Sequence, residues 1–324
     1  MKGSTLLPPI LENLTLPLIS SPLFAISYPE LVVAQCKAGV VGSFPALNAR
    51  EPDTLDDWIH SINAQLAAVR RETPNATVGP YAVNQIIHTS NTRAERDIQT
   101  CIDLQVPILI TSLRPPERTL IDAVHAYGGL VLHDVINLRH AKKAIDAGVD
   151  GLILVAAGAG GHAGTLSPFA FVAEVRKIFD GIIVLGGAIA TGESIFAARA
   201  LGADLAYVGT RFIASREANA KDAYKSALVE AQASDIIYTD AFTGVHGNYI
   251  RRSIVAAGLD PEALPESAGA KIDFSASEGQ QIKAWRDIWG AGQGVGSVDE
   301  VESVSEIVAK LRAEYRGARA RMIG

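Results

Sequence analysis

Cysteine is scarce: Cys36 and Cys101 are the only two in 324 residues, too few for a disulfide framework. A reducing compartment is the simpler reading, and a cytoplasmic location is expected. No apolar run is long enough to cross a bilayer. The opening segment (MKGSTLLPPILENLTLPLISSP) breaks its apolar stretch with prolines and a Glu and lacks a cleavage site. No signal peptide is therefore expected. Basic residues are in deficit, 29 Lys plus Arg against 35 Asp plus Glu, for a net charge of −6. With no basic stripe, neither nucleic acid nor a membrane is an expected partner. No Gly-x-Ser-x-Gly nucleophile elbow occurs. Cys36 lies in an amphipathic stretch (PELVVAQCKAG) and reads as core rather than nucleophile. His133, Asp134 and His140 lie close in sequence, but no cysteine or further carboxylate joins them at ligand spacing. No metal site is expected.

What is present is a globular composition, 48% hydrophobic and 20% charged, which rules out disorder and fibrous repeats. The length suits one barrel-sized domain with an insertion, or two ordinary domains. Short runs rich in Val, Ile and Leu fall at 16–20, 40–44, 78–84, 107–112, 130–134, 151–155, 182–186 and 204–209. Such continuous runs suit strands buried on both faces. Helical spacing fills the gaps at 55–71, 92–104, 116–127, 138–147, 169–179 and 192–201. Several of these helical stretches run into a glycine (Gly39, Gly148, Gly202) suited to a left-handed cap. Eight strands alternating with helices predict an α/β fold, a parallel (β/α)8 TIM barrel. A doubly wound open sheet gives the same alternation and is the alternative.

The rhythm changes after Phe212. Residues 218–233 read as a helix. The segment 235–281 shows no clear strand series and carries several Gly and Pro, as a helical or irregular excursion over the barrel mouth would. The expected organisation is a barrel over 1–234, a smaller, mostly helical insertion over 235–284, and a return over 285–324 ending in an amphipathic helix.

In a parallel barrel the chemistry sits at the C-terminal ends of the strands. After the sixth run comes AAGAGGHAG, with His162 alone among small residues that let main chain approach a ligand closely. A flexible turn with an exposed His and a dinucleotide-binding turn are the alternatives. The second is weakened because Pro168 delays the helix beyond the glycines. After the seventh run stand Gly186 and Gly187, and after the eighth Gly209 and Thr210. Glycine main chain at those two positions is the usual phosphate cradle of this architecture, with ordinary turn glycines as the alternative. Asn84 ends the third run, and its amide needs a partner: a ring edge or a neighbouring loop.

Together these loops resemble the nitronate monooxygenase (2-nitropropane dioxygenase) family of FMN-dependent barrels. The resemblance rests on PLISSPLFAISYPELVVAQCKAGVVGSF, AGGHAG, LGGAIATG, ADLAYVGTRF and Ala291-Gly292-Gln293-Gly294. It implies a catalytic His162. Main chain of Pro22, Leu23 and Phe24 would contact the flavin ring, and Asn84, Ala156, Gly160 and Gly161 would line it. Gly186, Gly187, Gly209 and Thr210 would hold the phosphate, and Gln293 would come from the C-terminal return. Asp134, also counted among the cofactor-lining positions, departs from relatives that carry Lys or a small polar residue there. A carboxylate beside a phosphate is repelled unless turned away or paired, and His133, Arg139 and the insertion are its candidate partners. Leu23-Phe24 replaces the Met-Gly type pair of many relatives.

The resemblance implies oxidation of alkyl nitronates, such as propionate 3-nitronate, by O2 to a carbonyl compound and nitrite. His162 would hold the anionic nitro group as a cation or donor, or act as base toward a neutral nitroalkane. An NAD(P)H-dependent FMN reductase of quinones or enoyl thioesters shares these loops. A flavin-free isomerase or lyase using the cradle for a sugar phosphate, and a non-catalytic flavin-binding protein, are the remaining alternatives. A homodimer is left open.

Overall fold

Eight parallel strands alternate with helices and close on themselves in the computed structural model, which describes residues 7–51, 54–265 and 287–323. The strands run β1 (Leu18–Ser20), β2 (Gly42–Pro45), β3 (Tyr81–Ile87), β4 (Ile108–Leu113), β5 (Leu130–Val135) and β6 (Gly151–Val155). A two-residue β7 (Gly161–His162) belongs elsewhere, and β8 (Ile182–Gly186) and β9 (Leu205–Val208) complete the barrel. Neighbour order is β1-β9-β8-β6-β5-β4-β3-β2. The two ends meet at the parallel bridge Ile19–Val41, where the Ser20 amide donates to the Val41 carbonyl at 2.8 Å. An open sheet would leave those edges unpaired, so the barrel reading stands.

Each strand is apolar throughout because it is covered twice. Side chains alternate between the lumen and the helices. Ile19, Ala82, Ile108, Ile110, Leu132, Ile153, Val184 and Leu205 pack together in the lumen, with Leu11 of helix α1 (Pro9–Glu12) among them. The opposite faces pack against α2 (Pro29–Lys37), α3 (Thr54–Glu72), α4 (Ala94–Asp103), α5 (Arg118–His125), α6 (Leu138–Ala147), α7 (Pro168–Arg176) and α8 (Gly192–Leu201). Gly148 and Gly202 close α6 and α8 in the left-handed conformation their sequence position suggested. A four-residue α9 (Thr210–Ile213) and then α10 (Asp222–Glu230) follow β9. Cys36 and Cys101 are both buried, and burial pushes each thiol up to about 12, so neither is a ready nucleophile.

The excursion after α10 differs from its sequence reading. It contains strands β10 (Ile236–Thr239) and β11 (Gly247–Ile250), paired antiparallel, and a six-residue helix α11 (Arg251–Ala256). β11 also pairs with β7, making a second, three-stranded sheet. The rest of the expected insertion, 266–284, and the first two residues of the expected return lie outside the described residues. The chain returns through 290–294 to α12 (Val304–Ile323), which packs on α8. There Glu314 accepts from the Gly192 amide at 2.7 Å, and Tyr315 meets Phe196 edge to face. Among the described residues no helix is long and apolar enough to cross a membrane.

Candidate active site

The lumen changes character at its C-terminal end. Following the alternation Ile108–Ile110 on β4 and Leu130–Leu132 on β5 one step further brings Ser112 and Asp134 to the mouth. Asn84 of β3 joins them. Its Nδ2 donates to Ser112 Oγ at 2.7 Å and to the Ile110 carbonyl at 3.3 Å. Ser112 Oγ donates in turn to Asp134 Oδ2 at 2.6 Å. Among the described residues Asp134 Oδ1 is buried without a partner, and so is the Tyr207 hydroxyl of β9. Burial raises the Asp134 carboxyl to about 7, with Ser112 opposing. Burial and then the charge of Asp134 raise the Tyr207 phenol.

The candidate partners of Asp134 are thereby corrected: it bonds Ser112 rather than His133, Arg139 or the insertion. Adjacent strand residues face opposite ways. His133 points into the outer layer, where Nδ1 meets Thr111 Oγ1 at 2.8 Å. Burial, followed by the nearby His140, lowers His133 to about 4.

The loop after β6 is ordered by its neighbours rather than flexible. The Ala156 amide donates to the Gly186 carbonyl at 2.9 Å and the Ala157 amide to the Leu166 carbonyl at 2.8 Å. Gly161 and His162 then pair with Asn248 and Gly247 of β11. His162 is half-buried, and its Nε2 lies 3.1 Å from Thr243 Oγ1. The Thr243 hydroxyl donates to the Val245 carbonyl at 2.9 Å. That leaves Thr243 Oγ1 to accept, so Nε2 carries the hydrogen and the lone pair sits on Nδ1. Burial lowers His162 to about 4, so the imidazole is neutral near pH 7.

Four further segments converge here through main chain. Gly187 follows β8 with φ 141°, and a Cβ there would stand 2.7 Å from the Ala157 carbonyl oxygen. Only glycine suits both the dihedral and that approach. The return at 290–294 comes equally close: the Gln293 amide donates to the Gly158 carbonyl at 2.9 Å. The Gly292 amide donates to Thr210 Oγ1, also at 2.9 Å. A Cβ on Gly160 would meet the Gly292 nitrogen at 2.8 Å. Gly209 faces Ser21 and Leu23, 3.4 Å from where its Cβ would be. The loop of Pro22, Leu23 and Phe24 is held by Asn48, which donates to the carbonyls of Leu23 and Ser27 and accepts from the Ala25 amide at 2.7 Å. Phe24 is left 37% exposed.

All the sequence-predicted positions thus lie on strand ends and loops of one barrel face or on the return packed against it. Ser112, Tyr207, Asn48 and Thr243 were not foreseen. Strand parity could have revealed the first two. These residues fit a flat ring bearing a phosphate: small residues at 156–161 and 186–187 leave main chain at the rim, and the lumen floor ends in two unpartnered polar atoms.

Fold and site define the class: a parallel-barrel enzyme whose chemistry sits at the C-terminal mouth. The family model described as nitronate monooxygenase matches residues 10–314. The chain belongs to that family, and with it to the flavin-dependent oxidoreductases. It is 27% identical to a nitronate monooxygenase of Paraburkholderia phytofirmans, over 97% of this chain and 96% of that protein. Its fold is similar to nitroalkane oxidase from Streptomyces ansochromogenes, with a TM-score of 0.82, 23% identity, and 97% and 99% of the two chains covered. FabK from Thermotoga maritima shares the fold at a TM-score of 0.74 and 23% identity, with 97% of each chain covered.

Proposed function

We propose that this chain oxidises alkyl nitronates, propionate 3-nitronate among them, with O2 and water to a carbonyl compound, nitrite and hydrogen peroxide, using FMN. The observation that carries the reading is His162: a neutral, oriented imidazole on a loop of small residues, in a chain whose family is defined by nitronate oxidation. FMN, when bound, supplies the electron-accepting chemistry that the protein side chains lack. Gly186, Gly187, Gly209 and Thr210 hold its phosphate. Pro22, Leu23, Phe24, Asn84, Asp134, Ala156, Gly160, Gly161 and Gln293 line its ring.

Thr243 fixes the imidazole tautomer so that Nδ1 is the proton-accepting atom. An anionic nitronate entering beside His162 favours the imidazolium, so the ring gains a proton as substrate binds. Toward a neutral nitroalkane the same Nδ1 acts as base. The insertion that begins near 235 contributes Thr243 to this arrangement and shapes the substrate side of the mouth.

The test is a spectrum of the purified protein, then anaerobic titration. Bleaching of a bound flavin by propionate 3-nitronate, with nitrite formed on admitting O2, is expected. Bleaching by NADH or NADPH but not by the nitronate would make it a reductase. Protein that stays colourless after FMN addition would remove the flavin.

A further inference from the structure

Asp134 occupies an unusual place. Its carboxyl sits at the top of an otherwise apolar lumen, above Leu132 and Leu130 on the same strand. The hydrogen-bond polarity around it is fixed from one side. Asn84 spends its two amide hydrogens on Ser112 Oγ and the Ile110 carbonyl. Ser112, accepting from Asn84, spends its one hydrogen on Asp134 Oδ2. Oδ2 is therefore an acceptor, and a proton on this carboxyl belongs on Oδ1. Oδ1 is the atom that has no partner. A buried donor or acceptor left unmade is costly, and no described residue meets this one, so it is open to a bound group.

Resting on the flavin reading above, we propose that Asp134 binds as a neutral acid and donates its Oδ1 hydrogen to an acceptor at the edge of the flavin ring. Asp134 is then a cofactor-positioning residue, and Asn84 and Ser112 set the direction of its hydrogen bond.

Neutrality follows from the surroundings. Among the described residues no cation favours the ionised form of Asp134; only Ser112 does so against burial. From β9 the titratable group facing it is Tyr207, whose phenol stays protonated. From β4 and β3 the facing groups are Ser112 and Asn84, neither titratable. His133 lies on the other face of β5. Ionising Asp134 would remove the donor and put a charge under the ring edge, so cofactor binding weakens as pH rises.

The experiment is titration of deflavinated protein with FMN, followed by flavin fluorescence quenching, between about pH 6 and pH 9. Wild type and Asp134→Asn are compared, since the amide keeps shape and a donor without titrating. The FMN phosphate titrates equally in both and cancels in the ratio. Near pH 6 the two are expected to bind alike. Above about pH 7 wild type weakens relative to the variant, approaching about tenfold per pH unit. A second measurement needs no flavin: difference infrared spectroscopy of the deflavinated protein near pH 6 should show a protonated carboxyl stretch that Asp134→Asn removes. A ratio that stays constant with pH, a ratio of opposite sign, or absence of that stretch would overturn the proposal. Failure of both proteins to bind FMN at any pH would instead overturn the flavin reading.

Discussion

Arg211 follows Gly209 and Thr210, proposed above to hold the phosphate, yet it is only 2% exposed. Its guanidinium pairs with Glu302, and its Nη1 is buried without a partner. Glu302 comes from the C-terminal return and is tied there by main chain as well. Its carbonyl accepts from the Arg216 amide at 2.9 Å, and its own amide donates to the Ala214 carbonyl at 3.3 Å. Glu302→Gln keeps the shape and removes the charge, leaving a guanidinium in the interior with no counter-ion. Breaking such a pair from one side costs about 3–5 kcal/mol, because the remaining charge stays desolvated. Unfolding entropy scales to roughly 0.7 kcal/mol/K for a chain of this length, so Tm should fall by about 4–7 °C. Scanning calorimetry reads this directly. The same variant should weaken FMN retention, since α9 carries Thr210. The pair Arg211→Met with Glu302→Leu should cost less than the sum of the two single changes, since no unpaired charge remains. A Glu302→Gln Tm within about 1 °C of wild type, or strict additivity in the cycle, would refute the reasoning.

Asp134 carries a pH-dependent stability cost of its own. Its folded-state pKa is raised from 3.8 to about 7, so its contribution is fully present below pH 3.8 and is lost as pH rises through 7. Asp134→Asn should therefore stabilise the deflavinated protein by an amount that grows between these values and levels off above, at most about 4 kcal/mol. A stability difference independent of pH would contradict the burial argument. Gly187→Ala should destabilise the fold by about 1–3 kcal/mol and release flavin, because it combines strained φ with contact on the Ala157 carbonyl; unchanged flavin content would count against it. Nitrogen NMR of His162 should show the Nε2–H tautomer near pH 6 and protonation only near pH 4. Ordinary titration near 6.5 would show that burial does not govern it. His162→Gln should slow turnover of a neutral nitroalkane about 100-fold or more, read as nitrite release, and a smaller effect would remove it from proton transfer.

The barrel was legible because burial on both faces leaves its strands as unbroken runs such as 151–155 and 182–186, which little else in a sequence resembles. The insertion was not, for the opposite reason. β10 and β11 have four residues each, and β10 is half-exposed, so IIYT and GNYI carry no sustained period. Asp134 shows a different limit. Its neighbour His133 invited a pairing, but the pleat separates them. Its true partner lies 22 residues away and becomes visible only when the β4–β5 register is known. The glycines at 186, 187 and 209 were readable as positions after strands. That Gly187 yields its space to Ala157 was not, because the contact joins two loops.

The small second sheet ties the His162 loop, the insertion and the C-terminal return together. β11 fixes the His162 loop from one edge, with Asn248 Nδ2 donating to the Ala159 carbonyl at 2.6 Å and the Ala163 amide donating to the His246 carbonyl at 3.2 Å. From the other side the Asn248 carbonyl accepts from the Ala291 amide at 3.2 Å, one residue before the return that reaches Thr210. The His162 loop, β11, the return and Thr210 are therefore one hydrogen-bonded unit built mostly of main chain. Side-chain changes along 239–246, Thr243 excepted, can alter what approaches His162 while those main-chain bonds persist; Tyr238 holds the Ala163 carbonyl through its hydroxyl. Changes at Asn248 cannot, because its side chain supplies one of those bonds.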